Sequence, residues 1–498
     1  MSNGHLLQLS TAELADAIRA KNYSVSEVLE AHIERILAVN PLINAVVADR
    51  FALAREEAKI AERVVMAAKE EEQLPALLGV PCTVKEFWAV QGMPQTGGLV
   101  HRKEHRHPAT DAEIVRRIRQ SGAIVCGVTN VPEGGMWIEC ANRLYGCTSN
   151  PWDLSRTSGG SSGGDGAIVA SGGVPFGIAS DLGGSIRIPA AFCGAVGHKP
   201  TGGLVPNTGH FPAIHPQLSS YLTGGPIARR VRDLALLLEV MSTESCITHA
   251  QAVPLPTLDM SAVRVFEVTS NGRQRVSKTV RQGVEKAGAY LRSRGAEVAP
   301  FEEPKLRHSF EIWSAMMLEV QHTSYAEVLG GGQALELWRE ALKLVLGRSE
   351  HTAPALGIAA LDSAFRKLPK RAAPLQSFVE EGHALQRELE GTLGERGIWL
   401  YPVYTRTAPP HNLSLLRPLD VAYTAIVNVL EFPATVVPVG VDEDGLPVAV
   451  QVIAKRGNDR LCLGVAKELE SAFGGWKCAE PAIARRDSMI DRLRAARK

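Results

Sequence analysis

The sequence has 498 residues, is 45% hydrophobic and 21% charged, and carries a formal net charge of +1 at pH 7. A charge near zero without a basic block argues against nucleic acid as the main partner, because neutralising phosphates needs clustered Lys and Arg. No run of about 18 apolar residues is present, which excludes a transmembrane helix.

The eight cysteines and the polar N-terminus indicate a reducing compartment. No C-x-x-C spacing occurs among the cysteines, so they are typical of free thiols and not of a disulfide framework. Residues 1–9 are too short and too polar for the apolar core of a secretory signal. We therefore expect a cytoplasmic protein.

The N-terminal part alternates helices with short apolar strands. Ser10 and Ser24 each open an S-x-x-E capping box, which predicts a helix start because side chains satisfy free backbone N–H groups there. The predicted helices lie at about 11–20, 25–39, 51–71 and, capped by Thr110 or Asp111, up to Gln120. Buried strands are predicted at 78–84 and 123–128. Such alternation is typical of α/β layers.

Two glycine-serine clusters, residues 158–165 and 180–187, are the most distinctive feature of the chain. Glycines beside a serine let other groups approach the backbone closely. Gly/Ser tracts are usually flexible linkers or turns, but the apolar segments 167–170 and 174–179 between the clusters have the character of buried elements. The pattern therefore predicts two loops folded against each other, with two hydroxyls in one pocket.

Two known motifs fit the first cluster less well. Gly159 and Gly164 have the spacing of a phosphate-binding P-loop, but Asp165 replaces its lysine and would repel phosphate. Residues 159–163 fit G-x-S-x-G, yet a nucleophile elbow needs a buried strand before the serine. Residues 150–157 are instead a polar loop with a proline, so we rank both motifs low.

The second half of the chain is predicted to return to strands at its end. In chain order we predict a turn at 197–202, a loop at 203–225, a helix at 231–241, a loop or linker at 243–261, strands at 263–268 and 296–299 around a helix at 276–294, helices over 306–395, strands at 398–402, 435–439 and 448–453, and a helix at 459–473. Apolar residues at helical spacing are usually core, and this rule covers Trp313, Met316, Met317, Trp338 and Leu342. The first 200 and last 100 residues have complementary elements, which favours one large sheet.

A serine nucleophile needs a base, and the sequence offers a lysine for this role. Serine is a poor nucleophile until a neighbouring group removes its proton. No histidine lies in a recognisable triad motif, although the chain has 14 and composition excludes none of them. His101, His105 and His107 share a charged loop without acidic or Cys partners, so we expect no metal. Lys85 leaves an apolar strand, and desolvation there would lower its pKa from about 10.4.

The motifs resemble the amidase signature family of serine amidohydrolases, in order and spacing and over nearly the whole chain. The matching segments are 79–86, 129–133, 159–164 and 181–190. Segments 85–87, 91–94, 192–194 and 205–212 are most similar to fatty acid amide hydrolases. The resemblance implies one α/β/α domain over 1–498 with a large mixed central sheet flanked by helices. It also implies a variable helical substrate region at about 300–395.

The resemblance further implies a Ser-cisSer-Lys triad. Ser185 would be the nucleophile, Ser161 the bridging serine after a cis Gly160–Ser161 peptide, and Lys85 the base. The implied oxyanion donors are the backbone N–H groups of Leu182, Gly183, Gly184 and Ser185. The implied supporting residues are Ser162, Asp181 and Arg187, and those implied to contact substrate are Gly135 and Met136. No cofactor is implied.

The function implied is amide-bond hydrolysis through an acyl-enzyme on Ser185, with apolar, aryl or fatty amides as substrates. Members of the family also cleave esters and carbamates. One alternative is the amidase subunit of a tRNA-dependent amidotransferase, which releases ammonia from glutamine inside a complex. Another is a catalytically silent binding protein, against which the three intact triad positions argue. The expected partner is a small-molecule amide, and a homodimer is compatible with the sequence.

Overall fold

Helices and strands alternate along most of the chain. The computed structural model describes residues 4–69, 73–213, 215–242, 255, 258–367 and 373–479. The helices are α1 (Thr11–Arg19), α2 (Val25–Ile43), α3 (Phe51–Ala67), α4 (Glu113–Gln120), α5 (Gly163–Ala170), α6 (Arg187–Cys193), α7 (Val231–Met241), α8 (Lys278–Ser293), α9 (Ser309–Val320), α10 (Tyr325–Leu329), α11 (Leu337–Val345), α12 (Ala353–Arg366), α13 (Ala373–Leu393), α14 (Ala422–Val429) and α15 (Asp459–Phe473). The strands are β1 (Val46–Asp49), β2 (Pro81–Lys85), β3 (Ile124–Thr129), β4 (Ala141–Asn142), β5 (Gly146–Cys147), β6 (Ser149–Asn150), β7 (Asp153–Thr157), β8 (Phe176–Asp181), β9 (Val196–Lys199), β10 (Thr223–Ala228), β11 (Arg264–Glu267), β12 (Glu297–Pro300), β13 (Gly397–Pro402), β14 (Ala434–Val441) and β15 (Pro447–Ala454).

Eleven strands form one mixed sheet, as predicted. Their order is β1-β3-β2-β8-β10-β9-β14-β15-β13-β11-β12. β2 runs parallel to both β3 and β8, whereas β9 and β14 pair antiparallel and join the N-terminal and C-terminal parts of the chain. Helices pack on the sheet and bury its apolar side chains. The α/β fold class and the single large sheet are therefore confirmed.

The N-terminal helices begin where their serines predict, but α4 does not begin at its predicted cap. Both capping boxes form: the side chains of Ser10 and Ser24 accept from backbone N–H groups three residues later. The position before α4 is Ala112, which has no side-chain cap. The carboxylate of Asp111 instead accepts from the Gln91 N–H at 2.8 Å. A long-range partner thus competes successfully for the side chain that was predicted to cap the helix.

Residues 196–199 form the buried strand β9, so the prediction of a turn at 197–202 is wrong there. The polar side chains of His198 and Lys199 hid this strand from the pattern of apolar residues. Both are fully buried, and both find partners. His198 Nδ1 lies 2.9 Å from Thr435 Oγ1, and Lys199 Nζ donates to the Pro200 carbonyl at 2.8 Å. A satisfied polar group is tolerated in a sheet core.

The 306–395 region is helical, as predicted, and its apolar residues divide into two groups. Met316 and Met317 of α9 are buried, which confirms them as core. Trp338 and Leu342 of α11 are 66% and 55% exposed, so their assignment to the core is wrong. Within the described ranges, no helix is long and apolar enough to cross a membrane. Most of the predicted 243–261 loop lies outside the described residues.

Candidate active site

The sheet brings the predicted lysine and the second serine cluster to the same edge. Lys85 is the last residue of β2, and Ser180 and Asp181 are the last residues of β8. Because these strands are parallel neighbours, their carboxyl ends meet, and this is where α/β proteins place their sites. Ser161 and Ser185 lie just before α5 and α6, two helices that pack against each other.

Lys85 is buried among hydroxyl and carbonyl oxygens. Its Nζ lies 2.7 Å from Ser161 Oγ, 3.1 Å from Ser180 Oγ and 3.2 Å from the Ser180 carbonyl oxygen. No carboxylate within the described part of the chain forms an ion pair with it. Burial lowers the pKa of Lys85 to about 7, although the charges of Asp165 and Asp181 act in the opposite direction. A large fraction of this lysine is therefore a neutral base near neutral pH.

The two serine loops are joined through their backbones. The Gly160–Ser161 peptide bond is cis, as the family resemblance predicts. The Ser162 N–H donates to the Ser185 carbonyl at 3.2 Å, and Ser162 Oγ donates to the Ser180 carbonyl at 3.3 Å. A Cβ at Gly160 would lie 2.6 Å from the Trp137 carbonyl oxygen, so only glycine fits here. Ser162 thus occupies the supporting position that the sequence predicts.

Asp181 and Arg187 form a buried ion pair that holds the Ser185 loop. The Asp181 carboxylate accepts from Arg187 Nε and one terminal nitrogen, both at 3.0 Å, and from the N–H groups of Gly184 and Ile186. Arg187 also donates to the Asn428 side chain at 2.6 Å. Burial alone would raise the pKa of Asp181, but the Arg187 guanidinium holds it well below its usual range. Both side chains are fully buried, so the loop between them is fixed at both ends.

Replacing Arg187 with Met is expected to lower the free energy of unfolding by about 3–5 kcal/mol, because Asp181 is left as an unpaired buried charge. The matched control is Arg55→Met. Arg55 pairs with Glu30, and the two side chains are 44% and 42% exposed, so its loss costs less than about 1 kcal/mol. Urea unfolding of both variants measures the difference. Equal losses in the two variants would show that the buried pair does not hold the loop.

One of the four implied oxyanion donors is already occupied. The Gly184 N–H donates to Asp181 Oδ1 at 2.7 Å, so the assignment of Gly184 to the oxyanion hole is corrected. Within the described residues, no side chain accepts from the N–H groups of Leu182, Gly183 or Ser185. Gly184 has a φ of +122°, and a Cβ there would lie 2.2 Å from Thr424 Oγ1. Its glycine is therefore required by conformation and space.

Ser185 faces a cavity with an empty volume of about 1080 Å³. Leu182 and Gly183 line it beside Ser185, and so do Gly135 and Met136, the two positions that the resemblance implies for substrate contact. Residues of α9 and α12 close the far side. Trp313 of α9 donates its indole N–H to the Leu182 carbonyl at 3.1 Å, which joins the helical region to the Ser185 loop. The triad loops thus lie at one end of a large, mostly apolar chamber.

The sequence analysis missed three polar groups around Lys85. Asp165 is buried and accepts from the hydroxyls of Thr83 at 3.0 Å and Thr129 at 2.9 Å. Burial raises the pKa of Asp165 to about 7 against these hydrogen bonds and the lysine charge. Ser180 and the buried His210 are the other two. Asp165 and Ser180 lie in the two glycine-serine clusters and were within reach of the motif, whereas His210 lies in a distant loop.

Comparisons with known proteins agree with this geometry. A model of the family described as Amidase matches residues 27–463. Fatty-acid amide hydrolase 2-A of Danio rerio is 40% identical over 95% of this chain and 90% of that protein. Fatty-acid amide hydrolase 2 of Homo sapiens is 38% identical over the same shares. A solved 6-aminohexanoate cyclic dimer hydrolase complexed with substrate has a TM-score of 0.76 and 26% identity, over 94% of this chain and 97% of that one. The chain therefore belongs to the amidase family and is an amide-bond hydrolase.

Proposed function

We propose that this amidase cleaves amides with an apolar acyl group through an acyl-enzyme on Ser185, with Ser161 and Lys85 as its proton relay. The observation that carries the proposal is the 2.7 Å hydrogen bond between Lys85 Nζ and Ser161 Oγ. It lies on the buried side of a loop pair whose other serine, Ser185, lines the large cavity. A lysine held this way can take a proton without contacting the substrate.

The relay moves one proton in each direction per half-reaction. Neutral Lys85 takes the Ser161 hydroxyl proton while Ser161 takes that of Ser185, and Ser185 Oγ attacks the amide carbonyl carbon. The N–H groups of Leu182, Gly183 and Ser185 stabilise the oxyanion, at about 3–4 kcal/mol for each donor. The proton then returns through Ser161 to the leaving nitrogen, and the C–N bond breaks. Water repeats the sequence and releases the acid.

The lining of the cavity supports an apolar acyl group. Its side chains are mostly aliphatic or aromatic, and they include Met136, Trp313, Met317, Leu318, Ile358 and Phe365. Each methylene that such a wall buries contributes about 0.8 kcal/mol to binding. The similarity to two fatty-acid amide hydrolases supports the same substrate class. Four of the six named residues belong to α9 and one to α12 or its partner α10 packing group, so we assign substrate selection to the 300–395 region.

Replacing Ser314 with Trp is expected to shorten the acyl chain that the enzyme accepts. Ser314 of α9 lines the cavity, and an indole there would exclude several methylenes of a long acyl group. We expect kcat/KM for a long-chain fatty amide to fall about tenfold to hundredfold while a short aryl amide is unaffected. The control is Glu319→Trp, on the exposed face of the same helix. Equal losses for both substrates would contradict the assignment of the acyl site.

A substrate panel tests the proposed function as a whole. Purified protein is assayed with fatty, aryl and peptide amides, a carbamate, an ester and glutamine. We expect the highest kcat/KM for fatty or aryl amides, because Asp362 is the one charged side chain that lines the cavity within the described residues. Glutamine carries two charged groups that this wall leaves unpaired. Turnover of glutamine alone would favour the amidotransferase subunit, whose relative from Caldanaerobacter subterraneus is 28% identical.

A further inference from the structure

A second chain of hydrogen bonds joins Lys85 to a buried histidine. Ser180 Oγ lies 3.1 Å from Lys85 Nζ and 3.1 Å from His210 Nε2. His210 Nδ1 lies 3.2 Å from the Pro212 carbonyl oxygen. The imidazole packs edge-on against Trp88, with ring centres 4.6 Å apart, and is 8% exposed. The relay described above uses neither Ser180 nor His210.

The partners of the histidine fix the direction of every hydrogen bond in this chain. A carbonyl oxygen only accepts, so His210 Nδ1 carries the proton and donates to Pro212. Burial lowers the pKa of His210 to about 3, so the ring is neutral and Nε2 presents a lone pair. The Ser180 hydroxyl therefore donates to His210 Nε2. Its oxygen is then left as an acceptor towards Lys85.

The count of donors and acceptors around Lys85 balances in both of its charge states. A neutral amine has two N–H donors and one lone pair. The Ser180 carbonyl and Ser180 Oγ take the two N–H groups, which leaves the lone pair for the Ser161 hydroxyl at 2.7 Å. When Lys85 becomes an ammonium, its third N–H donates to Ser161 Oγ. Only the hydrogen bond to Ser161 reverses between the two states.

We propose that His210, acting through the Ser180 hydroxyl, directs the lone pair of Lys85 at Ser161. This inference rests on the relay given under the proposed function. Without an acceptor at position 210, the Ser180 hydroxyl turns and donates to the Lys85 lone pair, in competition with Ser161. His210 and Ser180 are positioning residues, since neither touches the substrate or the carbon that reacts.

Three variants and one double variant test the proposal. His210→Phe keeps a ring but removes the acceptor, His210→Gln restores an acceptor oxygen, and Ser180→Ala removes the hydroxyl. We expect His210→Phe to lower kcat about tenfold with KM unchanged, and His210→Gln to recover most of the loss. The double variant Ser180→Ala with His210→Phe should be no slower than Ser180→Ala alone, because the histidine acts only through that hydroxyl.

The opposite results are equally clear. Losses that multiply in the double variant, or a folded His210→Phe enzyme with the wild-type kcat, would overturn the proposal. If His210→Phe does not fold, Ser180→Thr and Ser180→Ala decide instead: the hydroxyl variant should keep its rate and the Ala variant should not, and equal rates overturn it. Failure of the relay itself is distinguished by Lys85→Ala, which would then retain activity. Impaired Lys85→Ala beside unaffected His210→Phe rejects only the present inference.

Discussion

Replacing Ser185 with Ala is expected to lower kcat by about four orders of magnitude or more, because the acyl-enzyme has no other oxygen on which to form. Ser185 is the triad serine that lines the cavity, whereas Ser161 is 97% buried, with only 3% of its surface exposed. Steady-state kinetics with the best amide of the panel measure the loss. The control is Ser155→Ala, an exposed serine on β7 outside the cavity, which should keep the wild-type rate.

Ser161→Ala completes this comparison. The bridging hydroxyl transfers protons but forms no bond to the substrate, so its loss should leave residual turnover well above that of Ser185→Ala. If instead Ser161→Ala is inactive and Ser185→Ala retains turnover, the two roles are exchanged. The first cluster would then hold the nucleophile, as the G-x-S-x-G pattern at 159–163 suggests.

Replacing Lys85 with Ala is expected to lower kcat/KM about 10²-fold to 10⁴-fold near neutral pH, since the relay loses its base. The pH profile gives the sharper result. Only the neutral amine accepts a proton, so the wild-type rate should rise with pH as Lys85 deprotonates, with a midpoint near its pKa of about 7. The groups around it that also carry charge are Asp165 and Asp181, and His210 is neutral. Lys85→Ala should lack this rise.

Lys199 supplies a matched control for the lysine variant. It is also fully buried, and burial lowers its pKa to about 8, but its Nζ donates to the Pro200 carbonyl and not to a serine. Lys199→Met should therefore keep the rise in rate with pH. A Lys85→Ala enzyme with the wild-type profile would remove the lysine from the mechanism.

The central sheet and the triad loops were predictable because local signals specify them. The capping serines start α1 and α2, and the motif around 159–164 and 181–190 brings two serine loops to one pocket. Strand β9 was not predictable, since its buried His198 and Lys199 look like surface residues until their partners are known. The helical content of 306–395 followed from composition.

What the sequence could not supply are the contacts between distant residues. His210 reaches Lys85 only through Ser180, and nothing in its own loop indicates that pairing. Likewise, the resemblance implied Gly184 as an oxyanion donor, but the Asp181 carboxylate takes its N–H. Trp338 has the spacing of a core residue, yet no element packs over it and it stays exposed. In each case the tertiary partner, not the local pattern, decides the role.

The site of covalent labelling tests the central claim most directly. Wild-type enzyme is treated with an alkyl fluorophosphonate, digested with trypsin and analysed by mass spectrometry. Ser161 and Ser185 remain in one tryptic peptide, residues 157–187, so fragment ions must locate the adduct. We expect a single adduct on Ser185, formed faster as the pH rises through about 7. An adduct on Ser161 or Ser180, or an enzyme that stays unlabelled at every pH, would contradict the account.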